Sequence, residues 1–178
     1  MPAVRKPLAY NRSVPILRQN AFEFFSNSAE QTRRLGIQLG GLLETGDLLC
    51  LEGELGSGKT TLVQGIAAGW GSLDAVTSPT FVLVNVYKRA DGAQLAHLDA
   101  YRLESAVEAE ALDIDLLSAQ GPVVVEWANK IDSVLSAERL WLNLFGIDEN
   151  RRRIEVHPQG QRYEHKLEVF QEAVFGLV

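Results

Sequence analysis

The sequence predicts an α/β domain whose mixed, mainly parallel sheet is flanked by helices, and three observations predict it. Stretches with helical spacing alternate with short apolar runs, Asp47–Glu52 and Pro122–Trp127, that read as strands covered on both faces. The glycine-rich segment Gly53–Gly58 stands between one such strand and a stretch with helical spacing at Leu62, Ile66 and Gly69, which is the order strand, loop, helix. Asp91-Gly92 separates two β-type runs as a hairpin turn, which adds an antiparallel pair to an otherwise parallel sheet.

The elements follow in order. The chain of 178 residues, 46% apolar and 22% charged, suits one globular domain, because a domain takes about 100–200 residues. Residues 1–20 are basic, carry Pro2, Pro7 and Pro15 and lack periodicity, so they read as an extension and 21–178 as the domain. Ser28-Ala29-Glu30-Gln31 fits a capping box, with a helix expected from there to about Leu43. Asp47–Glu52 is the first buried strand, and a helix from Thr60 to Trp70 follows the glycines. Phe81–Tyr87 and Ala93–Asp99 should pair antiparallel. Glu104–Ala111 is a helix candidate, and Val123-Val124-Val125 centres a fully buried strand. Leu140–Phe145 and Arg153–His157 suggest two strands joined near Asp148-Glu149-Asn150, and a short helix from Tyr163 closes the chain.

Charge and cysteine content narrow the function classes. Seventeen Lys and Arg face 23 Asp and Glu, a net charge of −6, but the four bases Arg5, Lys6, Arg12 and Arg18 all precede the first acid, Glu23. The remaining 13 bases therefore face 23 acids, a balance of −10 from residue 21 onward. Gripping nucleic acid by bulk electrostatics needs clustered bases, so any nucleic-acid role is expected to be indirect. No apolar run approaches the roughly 18 residues of a membrane span, and no signal-peptide core follows the basic start; a cytoplasmic protein is expected. The single cysteine, Cys50, has no partner for an intrachain disulfide and reads as a buried structural thiol.

Gly53-Glu54-Leu55-Gly56-Ser57-Gly58-Lys59-Thr60 matches G-x-x-x-x-G-K-[ST] in full, in the strand-to-helix setting that the motif requires. Glycines let the backbone wrap closely with its N–H groups turned inward, and the helix amino terminus adds partial positive charge, so a triphosphate is held by a nest of donors. Lys59 would reach the β- and γ-phosphates, and Thr60 would place its hydroxyl on a magnesium ion bridging them. The expected nucleotide contacts are Glu54, Leu55, Gly56, Ser57, Gly58, Lys59, Thr60 and Thr61.

Such a loop needs an acid at the end of another buried strand. Glu126 directly follows Val123-Val124-Val125, as a carboxylate at the carboxyl edge of a parallel sheet should. Thr60 and Glu126 are therefore the expected metal pair. Asp99 is the competing carboxylate, placed to orient attacking water or to hold the metal's outer shell; Lys59, Asp99 and Glu126 form the candidate catalytic set. His97 lies two residues before Asp99 on the same strand face and reads as a packed or hydrogen-bonding histidine. His97, His157 and His165 form no ligand-spaced set. Arg102 is either a phosphate-side cation or the surface ion partner of Glu104.

With the phosphate loop, Ser78-Pro79-Thr80-Phe81, His97-Leu98-Asp99-Ala100-Tyr101-Arg102 and Glu126-Trp127 in this order, the chain closely resembles the TsaE (YjeE) family of small bacterial ATPases. The resemblance covers about Phe22 to Glu155. It implies a P-loop NTPase-like fold, ATP and Mg2+ as cofactors, and hydrolysis that supports threonylcarbamoyladenosine modification of tRNA. It also implies TsaB and TsaD as partners, with TsaD performing the transfer and tRNA met only through the complex. By the same resemblance Asp99 matches a functional aspartate, Glu126 the magnesium-associated acid, Ser78 to Phe81 with Thr80 a switch-like segment, and Thr32 a threonine near the nucleotide. Asp113 stands where the family commonly has a glycine, and Ala128-Asn129-Lys130 where it often has a small residue and a second acid.

Two other readings stay open on the residues alone: a small-molecule kinase with Asp99 as base, and a nucleotide-dependent binding module with little turnover. Asn129-Lys130-Ile131-Asp132 spells a guanine-reading pattern, but it follows Glu126 too closely to form a separate base-reading loop. The basic tail is a candidate for docking to a partner or to bound tRNA, beside the plainer reading of a solvated extension.

Overall fold

The structure, a computed structural model, describes residues 21–76 and 83–176. The extension 1–20 and the segment Ser78–Phe81, with Thr80, lie outside the described residues. The first half runs β1 (Phe22–Ser26), α1 (Ala29–Gly40), β2 (Leu48–Glu52), α2 (Lys59–Trp70), β3 (Val84–Lys88) and β4 (Gln94–Asp99). The second half runs α3 (Ala106–Glu110), α4 (Ile114–Gln120), β5 (Val123–Glu126), β6 (Arg139–Gly146), β7 (Arg152–Gln159) and α5 (Gln161–Phe175).

The strands form one sheet in the order β1-β7-β6-β2-β5-β4-β3. β2 pairs in parallel with β5 and β6, and β5 with β4, while β3, β7 and β1 join antiparallel. Five of the seven described strands thus point the same way, as the mixed, mainly parallel sheet of a P-loop NTPase-like fold requires. The burial pattern of β2 explains its central place, since four of its five residues are buried and only a strand covered on both faces tolerates an unbroken apolar run.

Alternate residues of the central strands feed two cores. Leu49, Leu51, Val124, Leu140 and Leu142 face one way, into the layer of α1, α2 and α5. Leu48, Cys50, Val123, Val125 and Trp141 face the other way, toward Ala109 and Ile114 of α3 and α4. The α1–α2 contact is a glycine seam. A Cβ placed on Gly36, Gly40, Gly65 or Gly69 would fall 2.4, 2.0, 2.1 or 2.0 Å from a backbone carbonyl oxygen of the facing helix. Only glycine lets the two backbones approach this closely, and the seam holds the helix that carries the phosphate loop against its neighbour.

Three elements depart from the sequence expectation. β1 was not anticipated, because a five-residue edge strand gives a weak local pattern. It exists by pairing with β7 and by packing Phe24 against Phe170, with ring centroids 5.1 Å apart. Helix α4 is also additional. It starts at Asp113, whose φ of 48° is left-handed and whose carboxylate accepts from Leu116 N–H at 3.2 Å. That backbone conformation favours glycine, and aspartate is among the few other residues that adopt it. The closing helix is 15 residues long rather than short, and its Tyr163 hydroxyl accepts from Leu48 N–H at 2.7 Å, tying α5 to the entry of β2.

Boundaries shift where caps intervene. Ser28 Oγ accepts from Gln31 N–H at 3.1 Å, and the Gln31 side chain reaches back to accept from Asn27 N–H at 2.7 Å, one residue beyond the box's usual partner. α1 ends at Gly40 rather than near Leu43, because Leu42 and Leu43 turn tightly onto the carbonyls of Leu39 and Gly40.

Candidate functional site

Parallel strands end on the same edge of the sheet, and ligands of open α/β folds bind there. Here β2 runs into the glycine-rich loop, β4 ends on Asp99 and β5 ends on Glu126. Asp99 lies opposite Glu126 in the register of β4 and β5, and Glu126 lies opposite Leu51 in that of β2 and β5. Two carboxylates and the loop therefore stand side by side.

The loop needs left-handed backbone at Gly56 (φ 77°) and Gly58 (φ 101°), and Gly58 caps α2. Lys59, buried, donates through Nζ to the carbonyls of Gly53 (2.7 Å) and Glu54 (2.9 Å), so it is curled back onto its own loop. Nζ also lies 4.0 Å from the centroid of the Trp127 ring. Burial pushes the Lys59 ammonium below the ordinary lysine range, and the carboxylates of Glu126 and Asp99 draw it back up. Trp127 holds that place with φ 58°, ψ 37°, a strained conformation for a large side chain, of the kind that clusters at functional sites.

Thr60 Oγ1 donates to both oxygens of Glu126, at 3.2 and 3.4 Å. This brings together the two groups expected to hold magnesium. They fit a hard cation that takes oxygen ligands and leaves the rest of its shell to phosphates and water. Among the described residues no cluster of three or more His, Cys, Asp or Glu is placed to hold a metal. Asp99 Oδ1 accepts from Tyr101 N–H at 2.9 Å, which fixes its carboxylate at the strand end.

A cleft of about 290 Å³ collects these groups: Leu55, Gly56, Gly58, Lys59, Thr60, Thr61, Asp99, Tyr101, Glu126, Trp127 and Arg152 line it. A larger hollow of about 560 Å³ flanks the loop on the β6 side. Its Glu52 and Asn143 both accept from the Trp141 indole N–H, at 3.2 and 3.0 Å. Lys59, Thr60, Asp99 and Glu126 all line the smaller cleft. Glu54 lines the larger hollow, Ser57 is buried beneath the loop, and Thr32 is not at the cleft. The Thr32 hydroxyl shares a buried hydrogen bond of 2.8 Å with Ser26 Oγ, which ties α1 to the end of β1.

Three cleft residues, Tyr101, Trp127 and Arg152, stand outside the site set expected from the sequence. Arg152, rather than Arg102, lines the cleft. Its guanidinium donates to the carbonyls of Asp148, Glu149 and Arg151 and lies against Gly58. Nothing in the run Arg151-Arg152-Arg153 marks the middle arginine. Tyr101 stacks at a tilt on Trp127, centroids 5.0 Å apart, and its carbonyl accepts from Lys130. The asparagine and lysine of the guanine-like spelling lie in the short turn just after β5, with Lys130 spent on Tyr101.

A phosphate loop opening α2, with a threonine–carboxylate pair at the sheet's carboxyl edge, defines a P-loop protein of the nucleoside-triphosphatase class. The family profile for the threonylcarbamoyl adenosine biosynthesis protein TsaE matches residues 26–154. The TsaE of Streptomyces coelicolor is 46% identical over 114 residues, 63% of this chain and 77% of that protein. The TsaE of Bacillus subtilis is 38% identical over 136 residues, 76% of this chain and 84% of that protein. The crystal structure of Bacillus subtilis YdiB superposes with a TM-score of 0.72 at 31% identity, covering 86% of this chain and 96% of that one. The chain belongs to the TsaE family.

Proposed function

We propose that the protein binds ATP with magnesium and hydrolyses it in support of threonylcarbamoyladenosine formation on tRNA, in the cytoplasm, together with TsaB and TsaD. The observation that carries this reading is the convergence of Lys59, the Thr60–Glu126 pair and Asp99 on one cleft at the carboxyl ends of β2, β4 and β5. Family membership gives the process, since relatives are named as tRNA threonylcarbamoyladenosine biosynthesis proteins.

In this reading the N–H groups of the loop at Leu55–Thr61 receive the phosphates, and Lys59 leaves the Gly53 and Glu54 carbonyls for the β- and γ-phosphate oxygens. Bound magnesium would neutralise charge across those same phosphates. Thr60 and Glu126 present oxygen atoms to it, Asp99 orients the attacking water, and Arg152 adds positive charge beside Gly58. Thr80 belongs to this reading as a contact from the segment before β3. No helix among the described residues is long and apolar enough to cross a membrane.

The test is ATP turnover by the purified chain alone and with TsaB and TsaD. Stimulation by the partners supports the reading. Phosphate appearing only on a small-molecule acceptor would replace it with a kinase.

A further inference from the structure

Glu126 is 4% exposed, and a buried carboxylate needs hydrogen-bond donors to hold its charge and orientation. Among the described residues two side chains donate to it. One is Thr60, in the first turn of α2. The other is His97, fully buried on β4, whose Nε2 lies 3.0 Å from Glu126 Oε1. In the sheet register His97 faces Val124, so Glu126 is its diagonal neighbour two residues on along β5. The side chains of both therefore stand on the same face.

We propose that His97 is a positioning residue that orients Glu126 for the magnesium site, with Tyr87 fixing the ring in the tautomer that carries its proton on Nε2. The inference rests on the nucleotide reading of the cleft. A carboxylate only accepts, so the nitrogen beside it must be the N–H. The other nitrogen, Nδ1, lies 3.3 Å from the Tyr87 hydroxyl on β3 and is left as an acceptor for that O–H. Burial pushes the Tyr87 phenol above its ordinary range, which keeps the proton on the oxygen. The chain Thr60–Glu126–His97–Tyr87 thus crosses α2, β5, β4 and β3 with each link within hydrogen-bond reach. When Thr60 turns its oxygen to a metal, the bond from His97 still holds the carboxylate. Partners of metal-site carboxylates act in this way, and losing one costs about 10–100-fold in metal affinity or activity.

The experiment has two arms. In the nucleotide-free protein, a long-range proton–nitrogen spectrum of the His97 ring should show a proton on Nε2, and a ring protonated at Nδ1 alone would overturn the proposal. In the second arm, ATP affinity is titrated at increasing Mg2+ for the wild type, His97→Ala, His97→Gln and Tyr87→Phe, with thermal melting of each. His97→Ala should raise the half-saturating Mg2+ by roughly 10-fold or more, with ATP affinity in chelator unchanged. His97→Gln, whose amide nitrogen reaches the place of Nε2, should recover most of that loss, and Tyr87→Phe should shift the requirement less but in the same direction. An unchanged Mg2+ requirement in His97→Ala, or no recovery in His97→Gln, would overturn it. If His97→Ala does not fold, the glutamine and phenylalanine variants decide by the same criterion: a requirement within twofold of wild type in His97→Gln and raised in Tyr87→Phe supports the proposal, and any other pattern overturns it. A wild type that binds no ATP at any Mg2+ concentration would overturn the nucleotide reading as well, which separates the two failures.

Discussion

The ammonium of Lys59 rests 4.0 Å from the centre of the Trp127 ring while it donates to two carbonyls of its own loop. A cation over an indole face gains about 0.5–2 kcal/mol, so the contact is strong enough to define a resting position and weak enough to yield to a phosphate. In the proposed function a bound nucleotide would draw Lys59 off the ring. Indole fluorescence should therefore change on adding ATP, and Trp127→Phe should remove the change. Trp70 and Trp141 hold other cations, Arg89 and Arg139. A change of equal size in Trp127→Phe would place the signal in one of those two.

Glu126→Gln keeps the shape of the side chain and removes its charge. Magnesium-dependent turnover should fall by at least about 10-fold, while ATP affinity in chelator is unchanged or tighter, since one negative charge has left the phosphate cleft. Parallel titrations with and without Mg2+ check this, and a variant with wild-type turnover would remove Glu126 from the metal site.

The α1–α2 seam makes a sharp stability prediction. In Gly65→Ala the new methyl would meet Arg33 O at 2.1 Å and Gly36 Cα at 2.9 Å, and backbone atoms cannot rotate away. Overpacking of this kind costs about 1–3 kcal/mol or more, so Tm should fall by at least about 2 °C. Gly146→Ala, where nothing lies within 4 Å of the added carbon, should leave Tm nearly unchanged. Calorimetry on the pair checks both.

Burial pushes the Cys50 thiol from an ordinary 9.0 up to about 12. In the native protein the thiol should resist alkylation at pH 8 and react only after denaturation. Because the folded value is raised, the contribution to stability is complete below pH 9 and is lost as pH climbs from 9 to 12. Cys50→Ala should show a shallower decline over that window in chemical denaturation.

The sequence carries the site unevenly. Gly53–Thr60 is legible because the phosphate loop is local: eight consecutive residues hold both the backbone geometry and the charges. Glu126 and Asp99 are legible as acids ending β-type runs, but the register that sets them opposite each other belongs to the folded sheet. What joins Glu126 to His97 and Tyr87 is not local. It depends on which strands adjoin, and no residue pattern within β4 states that β5 will lie beside it. The same holds for β1, which exists through β7 some 130 residues away, and for Arg152, brought to Gly58 only by the turn between β6 and β7. Thr32 is a further case. The family resemblance matches it to a threonine near the nucleotide, and its hydroxyl bonds Ser26 Oγ, a contact six residues back that no local pattern states.

In the proposed function Lys59 and its loop turn over ATP in a complex. The most direct measurement is the steady-state rate of ATP hydrolysis by the wild type and Lys59→Ala, each with TsaB and TsaD present. A rate that the partners stimulate in the wild type and that falls at least about 100-fold in Lys59→Ala is the predicted result. Equal rates in the two proteins would contradict it.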